Sequence, residues 1–178
     1  MDQAELFINK SRKLLVGDFL PKIRHCLALL TEDQIWWRPN AASNSIGNLV
    51  LHLEGNVRQW ILSGVGGLPD QRARQQEFDE TGPIELDKLL NRLTETMAAV
   101  DEVIGSLEKQ TLVEEREIQG KPRNILEAVY HVVEHFSMHT GQIIMITKMI
   151  TEKDTTFHSD LSKMPAPPLT AMSVKAQD

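Results

Sequence analysis

The chain has 178 residues, of which 41% are hydrophobic and 25% charged, a composition typical of one globular domain rather than a repeat array or a disordered chain. Its 19 basic and 25 acidic residues give a net charge of −6, and the absence of a basic run argues against a nucleic-acid partner. The single cysteine excludes an internal disulfide, and no stretch resembles a signal sequence or membrane span. We therefore expect a cytoplasmic protein without a membrane partner.

Apolar residues recur every three to four positions over most of the chain, which predicts helices. Apolar and polar residues seldom alternate as a sheet would require. The first helix is predicted over residues 4–30, with Pro21 able to kink or divide it. Residues 31–45 are predicted to form a loop in which Trp36 and Trp37 cap the core.

The second helix is predicted to begin at a cap on Asn44 or Ser45 and to end near Ser63. Residues 64–82 are polar and rich in glycine, arginine and glutamine. We expect them to form a long crossover loop between the second and third helices.

The third helix is predicted to start at Thr81-Gly82-Pro83, because proline suits the first turn, and to continue to Leu107. A fourth helix follows to about Ile150, with Asn124 and Glu127 spaced as a capping box. Together these segments predict an all-α fold, a four-helix bundle with a long crossover between helices two and three.

The chain is predicted to divide into two parts at the end of the fourth helix. Residues 1–150 would form the bundle. Residues 151–178, which contain several prolines, would form an extended or partly disordered extension.

Three histidines, His131, His135 and His139, are spaced four residues apart in the predicted fourth helix. Neighbours at this spacing lie about 5–6 Å apart on one helix face, so two of them could bind the same ion. Each step of four residues rotates around the helix by about 40°. His131 therefore lies furthest from the apolar stripe and His139 nearest to it. This geometry favours His135 and His139 as ligands and His131 as a residue at the rim.

The remaining ligands must come from a second helix, and His52 lies beside the apolar stripe of the predicted second helix. Three neutral imidazoles would leave coordination positions for water or substrate, as in catalytic sites. Each residue alone also fits a simpler structural role. His52 could be a boundary residue, and the spacing of His135 and His139 also occurs on ordinary helix surfaces.

Residues 44–64, 72–78 and 129–148 resemble the DinB/YfiT-like superfamily, in a branch without an assigned function. The likeness covers about residues 5 to 150. It implies a four-helix bundle with a crossover between helices two and three, and a divalent metal held by three histidines. Carried over to this chain, these are His52, His135 and His139.

The resemblance also implies a chemistry, because better-studied relatives are S-transferases that use a low-molecular-weight thiol and often form homodimers. We therefore expect a metal-dependent enzyme that joins such a thiol to a small electrophilic substrate, with zinc or nickel as the metal. Gln142 and Asn56 are candidates for orienting metal-bound water or thiol. Arg72 and Arg74 are candidates for binding a carboxylate of the thiol, although both also fit a role as surface charges.

Two alternatives stay open at this stage. The same site could activate water, which would make the protein a metal-dependent hydrolase. The chain could also be a non-enzymatic, dimeric stress protein that binds a metal or another ligand. Cys26 lies among apolar positions of the first helix, which favours packing over nucleophilic chemistry.

Overall fold

The structure, a computed structural model, describes residues 2–157. Most of the predicted C-terminal extension, including His158, lies outside the described residues, so the division of the chain near residue 150 stays a prediction. None of the helices within residues 2–157 is long and apolar enough to cross a membrane.

The first long helical segment consists of α1 (Gln3–Leu14), a π-helical turn (Leu15–Phe19) and α2 (Leu20–Ala28). Pro21 stands in the first turn of α2, directly after the π-helical turn. Proline has no N–H to donate and its ring crowds the preceding turn, so the wider π turn relieves both problems. The helix is not divided at Pro21: it runs on from Gln3 to Ala28, and the irregularity is the π-helical turn that precedes the proline.

A short helix, α3 (Glu32–Trp36), replaces part of the loop predicted over residues 31–45. Trp36 packs against Gly47 and Gly82, where any Cβ would clash with its indole ring. The prediction that both tryptophans cap the core holds for Trp36 only, because Trp37 is 41% exposed.

The second long segment is α4 (Ile46–Val57), which continues in π-helical turns over Arg58–Val65. Ser45 caps α4 and forms a capping box with Asn48, so one of the two predicted caps is confirmed. Every residue of α4 is buried, the polar ones included. A helix buried on all sides brings its polar residues into the interior, where they need partners.

Two predictions for the crossover were wrong. Residues 64–82 are not wholly a loop, because they contain the helix α5 (Arg74–Asp79). The next long helix, α6 (Leu86–Gly105), begins three residues after Pro83 instead of at it. Gly82 has a positive φ of 69° and packs against Trp36, which holds the chain in a turn there.

The expectation of an all-α fold was also wrong in detail, because a small sheet follows a 3₁₀ turn (Lys109–Val113). Strand β1 (Glu115–Ile118) pairs antiparallel with β2 (Lys121–Asn124). The two residues between the strands both have positive φ, as in the tight turns that suit hairpins. The strands are too short and too polar to show an alternating pattern in the sequence.

The fourth long segment, α7 (Ile125–Thr151), begins at Asn124, which forms the predicted capping box with Glu127. Helix α4 contacts α5, α6 and α7, while α2 packs against α7 and α1 against α6. The protein is therefore mostly helical, with α4 near the centre of the packing. The largest fully buried side chains come from all four long segments and from α3: Phe136, Leu15, Ile23, Leu27, Ile35, Ile46, Leu53, Ile61, Leu89, Leu93, Met97 and Ile104.

Candidate metal centre

Three histidines from two packed helices meet at the contact between α4 and α7. His52 of α4 and His139 of α7 are buried, and His135 of α7 is half-buried. Nε2 of His135 lies 3.1 Å from Nε2 of His52 and 3.2 Å from Nε2 of His139. The structure therefore brings together the three histidines that the sequence singled out.

The spacing of these nitrogens fits a single cation. One nitrogen from each ring lies within 4.8 Å of the other two. Imidazole nitrogens bound to zinc at about 2.0–2.1 Å in tetrahedral geometry are about 3.3 Å apart. The two distances at His135 are close to this value, so the donor set is compatible with a divalent metal.

Partners on the opposite ring nitrogens orient two of the histidines. Nδ1 of His52 lies 2.8 Å from Oε2 of Glu77, and Nδ1 of His139 lies 2.7 Å from Oε1 of Gln142. Both partners are acceptors, so each Nδ1 donates its proton and each Nε2 keeps its lone pair. Carboxylate and amide partners of this kind orient metal-binding histidines in many proteins. Nδ1 of His135 is buried without a partner among the described residues.

The carboxylate of Glu77 is itself held by Arg72. Nε of Arg72 donates to Oε1 at 2.7 Å and an Nη donates to Oε2 at 2.9 Å, a bidentate pair. Both side chains are nearly buried, with exposed fractions of 5% and 10%. The pair lies over α4 at Gly55, where a Cβ would overlap the carboxylate. A residue without a side chain is therefore required at position 55 for Glu77 to reach His52.

The protonation states suit metal binding. Burial would raise the pKa of Glu77, but the hydrogen bonds from Arg72 and His52 outweigh it and lower the pKa below its ordinary value. Burial, together with the neighbouring imidazoles, lowers the pKa of His135 to about 3. The pKa of His139 is also lowered, chiefly by burial. Neutral imidazoles at His135 and His139 and an ionised carboxylate at Glu77 are therefore the resting forms near neutral pH.

His131 lies outside the group of three, as its position on the helix predicts. Its ring packs on the indole of Trp60, with the ring centres 4.0 Å apart. Its Nε2 lies 3.5 Å from Nδ2 of Asn56, while Oδ1 of Asn56 is buried without a partner among the described residues. The structure thus places Asn56 beside His131. Whether Asn56 orients a bound water or thiol stays a prediction.

The other three candidate residues lie at different distances from the centre. Gln142 contacts His139 directly, as described above. Arg72 is occupied by Glu77, although an Nη also lies 3.2 Å from Nδ1 of His52. Arg74 is exposed and lies over the ring of Phe78, which in turn packs on His52. Binding of a thiol carboxylate by either arginine stays a prediction.

A family model described as "Protein of unknown function (DUF1572)" matches residues 2–160, which is nearly the whole chain. The chain belongs to the DUF1572 family. A search of curated proteins finds no match for this DUF1572 chain.

Among solved structures, the DUF1572 chain is similar to a DinB-like protein from Bacillus cereus ATCC 10987. The two chains share 16% sequence identity over 75% of this chain and 87% of the other, with a TM-score of 0.60. At this identity the likeness establishes the fold alone. The resemblance to the DinB-like proteins seen in the sequence is confirmed.

Sequence reasoning about the DUF1572 chain missed Glu77 and Gly55. Glu77 is an acidic residue in the crossover, and nothing in its sequence neighbourhood connects it with a histidine 25 residues earlier. The signal available was indirect: Gly55 interrupts an otherwise well-formed helix, and a glycine there indicates that another group approaches the backbone closely.

Proposed function

We propose that this protein is a divalent-metal-dependent enzyme, and specifically a transferase that joins a small thiol to an electrophilic substrate. The observation that carries the proposal is the convergence of His52, His135 and His139, with their Nε2 atoms at coordination spacing. Three imidazoles leave further coordination positions for an exogenous ligand, which is typical of catalytic rather than structural metal sites.

A divalent cation bound there would supply positive charge that favours the thiolate over the thiol of a small thiol compound. The residues of the chain would do the rest. His52, oriented by Glu77, and His139, oriented by Gln142, would hold the metal in a fixed position. Burial of His52 and His139 would limit access of water. Gln142 is already hydrogen-bonded to His139, so Asn56 is the better candidate for orienting the incoming thiol.

The finer architecture is part of the same proposal. We infer a four-helix bundle in which the long segments are residues 3–28, 46–65, 86–105 and 125–151, with residues 66–85 as the crossover. The contacts among α1, α2, α4, α6 and α7 support it, and so does the DinB-like neighbour. The crossover carries Arg72 and Glu77 to the metal site, which gives it a functional role.

Other expectations from the sequence remain proposals. Zinc or nickel is the expected metal, since imidazole suits both ions. A small electrophile is the expected substrate, the cytoplasm the expected location and a homodimer the expected assembly. Light scattering coupled to size-exclusion chromatography would test the last of these, and a strictly monomeric protein would contradict it.

The function is tested with the purified full-length chain, loaded in turn with zinc and nickel and supplied with glutathione, bacillithiol or mycothiol. Conjugation of monochlorobimane is expected only when both a metal and a thiol are present. His135→Ala is expected to abolish the reaction, whereas His131→Ala, one turn away on the same helix, keeps the three ligands. Absence of metal-dependent conjugation with every thiol would refute the transferase. Ester cleavage without thiol would instead identify a hydrolase, and metal uptake without turnover a binding protein.

A further inference from the structure

The crossover helix α5 is too short to fix its own position. It has six residues, and isolated helices shorter than about 12–15 residues are marginal in water. Its last carbonyl groups also lack partners within the helix, as at every helix C-terminus. Yet this helix places Oε2 of Glu77 2.8 Å from Nδ1 of His52. Contacts with other parts of the chain therefore decide where α5 lies.

Asn48 of α4 supplies one set of these contacts. It is fully buried and lies one helical turn before His52 on the same helix. Nδ2 of Asn48 donates to the backbone oxygen of Glu77 at 2.9 Å and to that of Glu80 at 2.7 Å. Positions four apart lie on one helix face, so the same face of α4 binds the end of α5 and carries the candidate metal ligand.

Arg38, from the segment that follows α3, binds the same end of α5. Its Nη2 group donates towards three oxygens: Oδ1 of Asn48 at 2.8 Å, and the backbone oxygens of Phe78 at 3.0 Å and Glu80 at 3.2 Å. Hydrogen bonds from a charged donor are stronger than neutral ones, and a cation at a helix C-terminus also gains from the helix dipole. We call Arg38 and Asn48 the crossover clamp.

The crossover clamp binds the part of α5 that faces the metal centre. Asn48 holds the backbone of Glu77, whose carboxylate contacts His52. Arg38 holds the backbone of Phe78, whose ring packs on the ring of His52 with the centres 4.8 Å apart. The clamp thus fixes the backbone of two residues whose side chains contact a candidate ligand.

We propose that Arg38 is a positioning residue of the metal centre. Together with Asn48, it binds the end of α5, holds Glu77 against His52 and so sets the affinity of the centre for its metal. This inference rests on the proposed metal centre, not on the transfer of a thiol. Zinc binding without turnover would therefore refute the transferase and leave the role of Arg38 intact.

The test is a double-mutant cycle on the full-length chain, with zinc affinity measured by competition with a chelating dye. Glu77→Gln is expected to weaken zinc binding about 10–100-fold, and Arg38→Gln about tenfold because it acts indirectly. The variant that carries both changes is expected to bind zinc no more than about twofold more weakly than Glu77→Gln alone. Once the carboxylate is absent, its position no longer affects the metal.

Arg12→Gln is the matched control, because Arg12 also joins two elements through its guanidinium, which donates from α1 to Asp101 of α6. It is expected to lower stability in urea and to leave zinc affinity unchanged. Arg38 is half-buried, so we expect Arg38→Gln to fold, and its urea transition checks this. Arg38→Lys keeps the charge and N–H donors and is expected to lose less zinc affinity than Arg38→Gln.

Hydrogen exchange of the metal-free protein gives a second readout that does not depend on zinc. In Arg38→Gln, backbone N–H groups over residues 74–80 are expected to exchange faster than in the wild type, while those of α7 keep their rates. An unchanged zinc affinity in Arg38→Gln, an equal loss in Arg12→Gln, or losses that multiply in the double variant would overturn the proposal.

Discussion

The carboxylate of Glu77 occupies the space directly above Gly55, where a Cβ would overlap Oε1. The same carboxylate lies 2.8 Å from Nδ1 of His52. Helix α4 thus carries the candidate ligand His52 and, three residues later, a glycine that leaves room for Glu77, the hydrogen-bond partner of His52. An α-helix places positions i and i+3 on the same face, which explains why one carboxylate reaches both.

The first prediction follows from the close approach of Glu77 to Gly55. Gly55→Ala is expected to displace Glu77 from His52 and to lower the affinity for zinc about 10–100-fold, the usual cost of losing a partner of a metal-binding histidine. Competition with a chelating dye measures it. Gly141→Ala is the matched control, because a Cβ at Gly141 meets nothing within 4 Å. An unchanged zinc affinity in Gly55→Ala would mean that Glu77 does not orient His52.

The second prediction concerns the ligands themselves. His135→Ala and His139→Ala each remove one of three nitrogens. Each is expected to cost more affinity than the about 10–100-fold caused by losing an orienting partner. Elemental analysis of dialysed protein should then find far less bound metal than in the wild type. His131→Ala removes an imidazole from the same helix and is expected to leave the metal content unchanged. Equal losses of bound metal in all three variants would contradict the choice of His135 and His139, rather than His131, as ligands.

Sequence patterns could predict much of this molecule because helices carry local signals. The capping box at Asn124 and Glu127 and the spacing of His135 and His139 depend on residues close together in the chain. His52 and His135 are 83 residues apart in the sequence, so their contact depends instead on how α4 packs against α7. Position relative to the apolar stripe of each helix made His52 a candidate, and the resemblance to the DinB/YfiT-like superfamily implied the same residue.

Other features could not be predicted for equally physical reasons. The hairpin over residues 115–124 has strands of four residues each, too short to show a period of two. Helix α5 has six residues, fewer than a helix needs to show a repeating apolar face. Glu77 reaches His52 only because the crossover folds back onto Gly55. No local sequence pattern indicates this tertiary contact.

The third prediction concerns pH and the ion pair that joins α1 to α6. Nε and Nη2 of Arg12 donate to the two oxygens of Asp101, both at 2.7 Å. These hydrogen bonds lower the pKa of Asp101 below its ordinary value of 3.8. Because the folded protein has the lower pKa, the pair stabilises it above about pH 4. That stabilisation is lost as the pH falls through the folded pKa.

Asp101→Asn is therefore expected to lower the free energy of unfolding at pH 7 by about 0.5–1 kcal/mol, a small value because both side chains are about one-third exposed. The difference from the wild type should shrink as the pH falls from 4 towards 3. Urea denaturation at several pH values measures it. Glu102→Gln, the next residue on α6, is exposed and serves as the control. A difference that grows on acidification would contradict the sign of the pKa shift.

The last prediction concerns Cys26 and the source of the thiol. Cys26 is fully buried, and burial raises the pKa of its thiol from 9.0 to about 11. At pH 8 its thiolate fraction should therefore be about 100-fold smaller than in the unfolded chain. Labelling by Ellman's reagent should be slower still in the native protein, because the sulfur is inaccessible. Rapid labelling at the rate seen in urea would contradict the burial of Cys26.

This unreactive thiol bears on the proposed reaction, because a transferase needs a nucleophilic sulfur and the chain offers no other cysteine. The sulfur must therefore come from an added thiol. Cys26→Ala is expected to keep the metal content and the thiol-dependent conjugation of monochlorobimane, with only the stability cost of a small cavity, about 1 kcal/mol. Loss of conjugation in a Cys26→Ala protein that still binds metal would show that the reaction uses the chain's own sulfur.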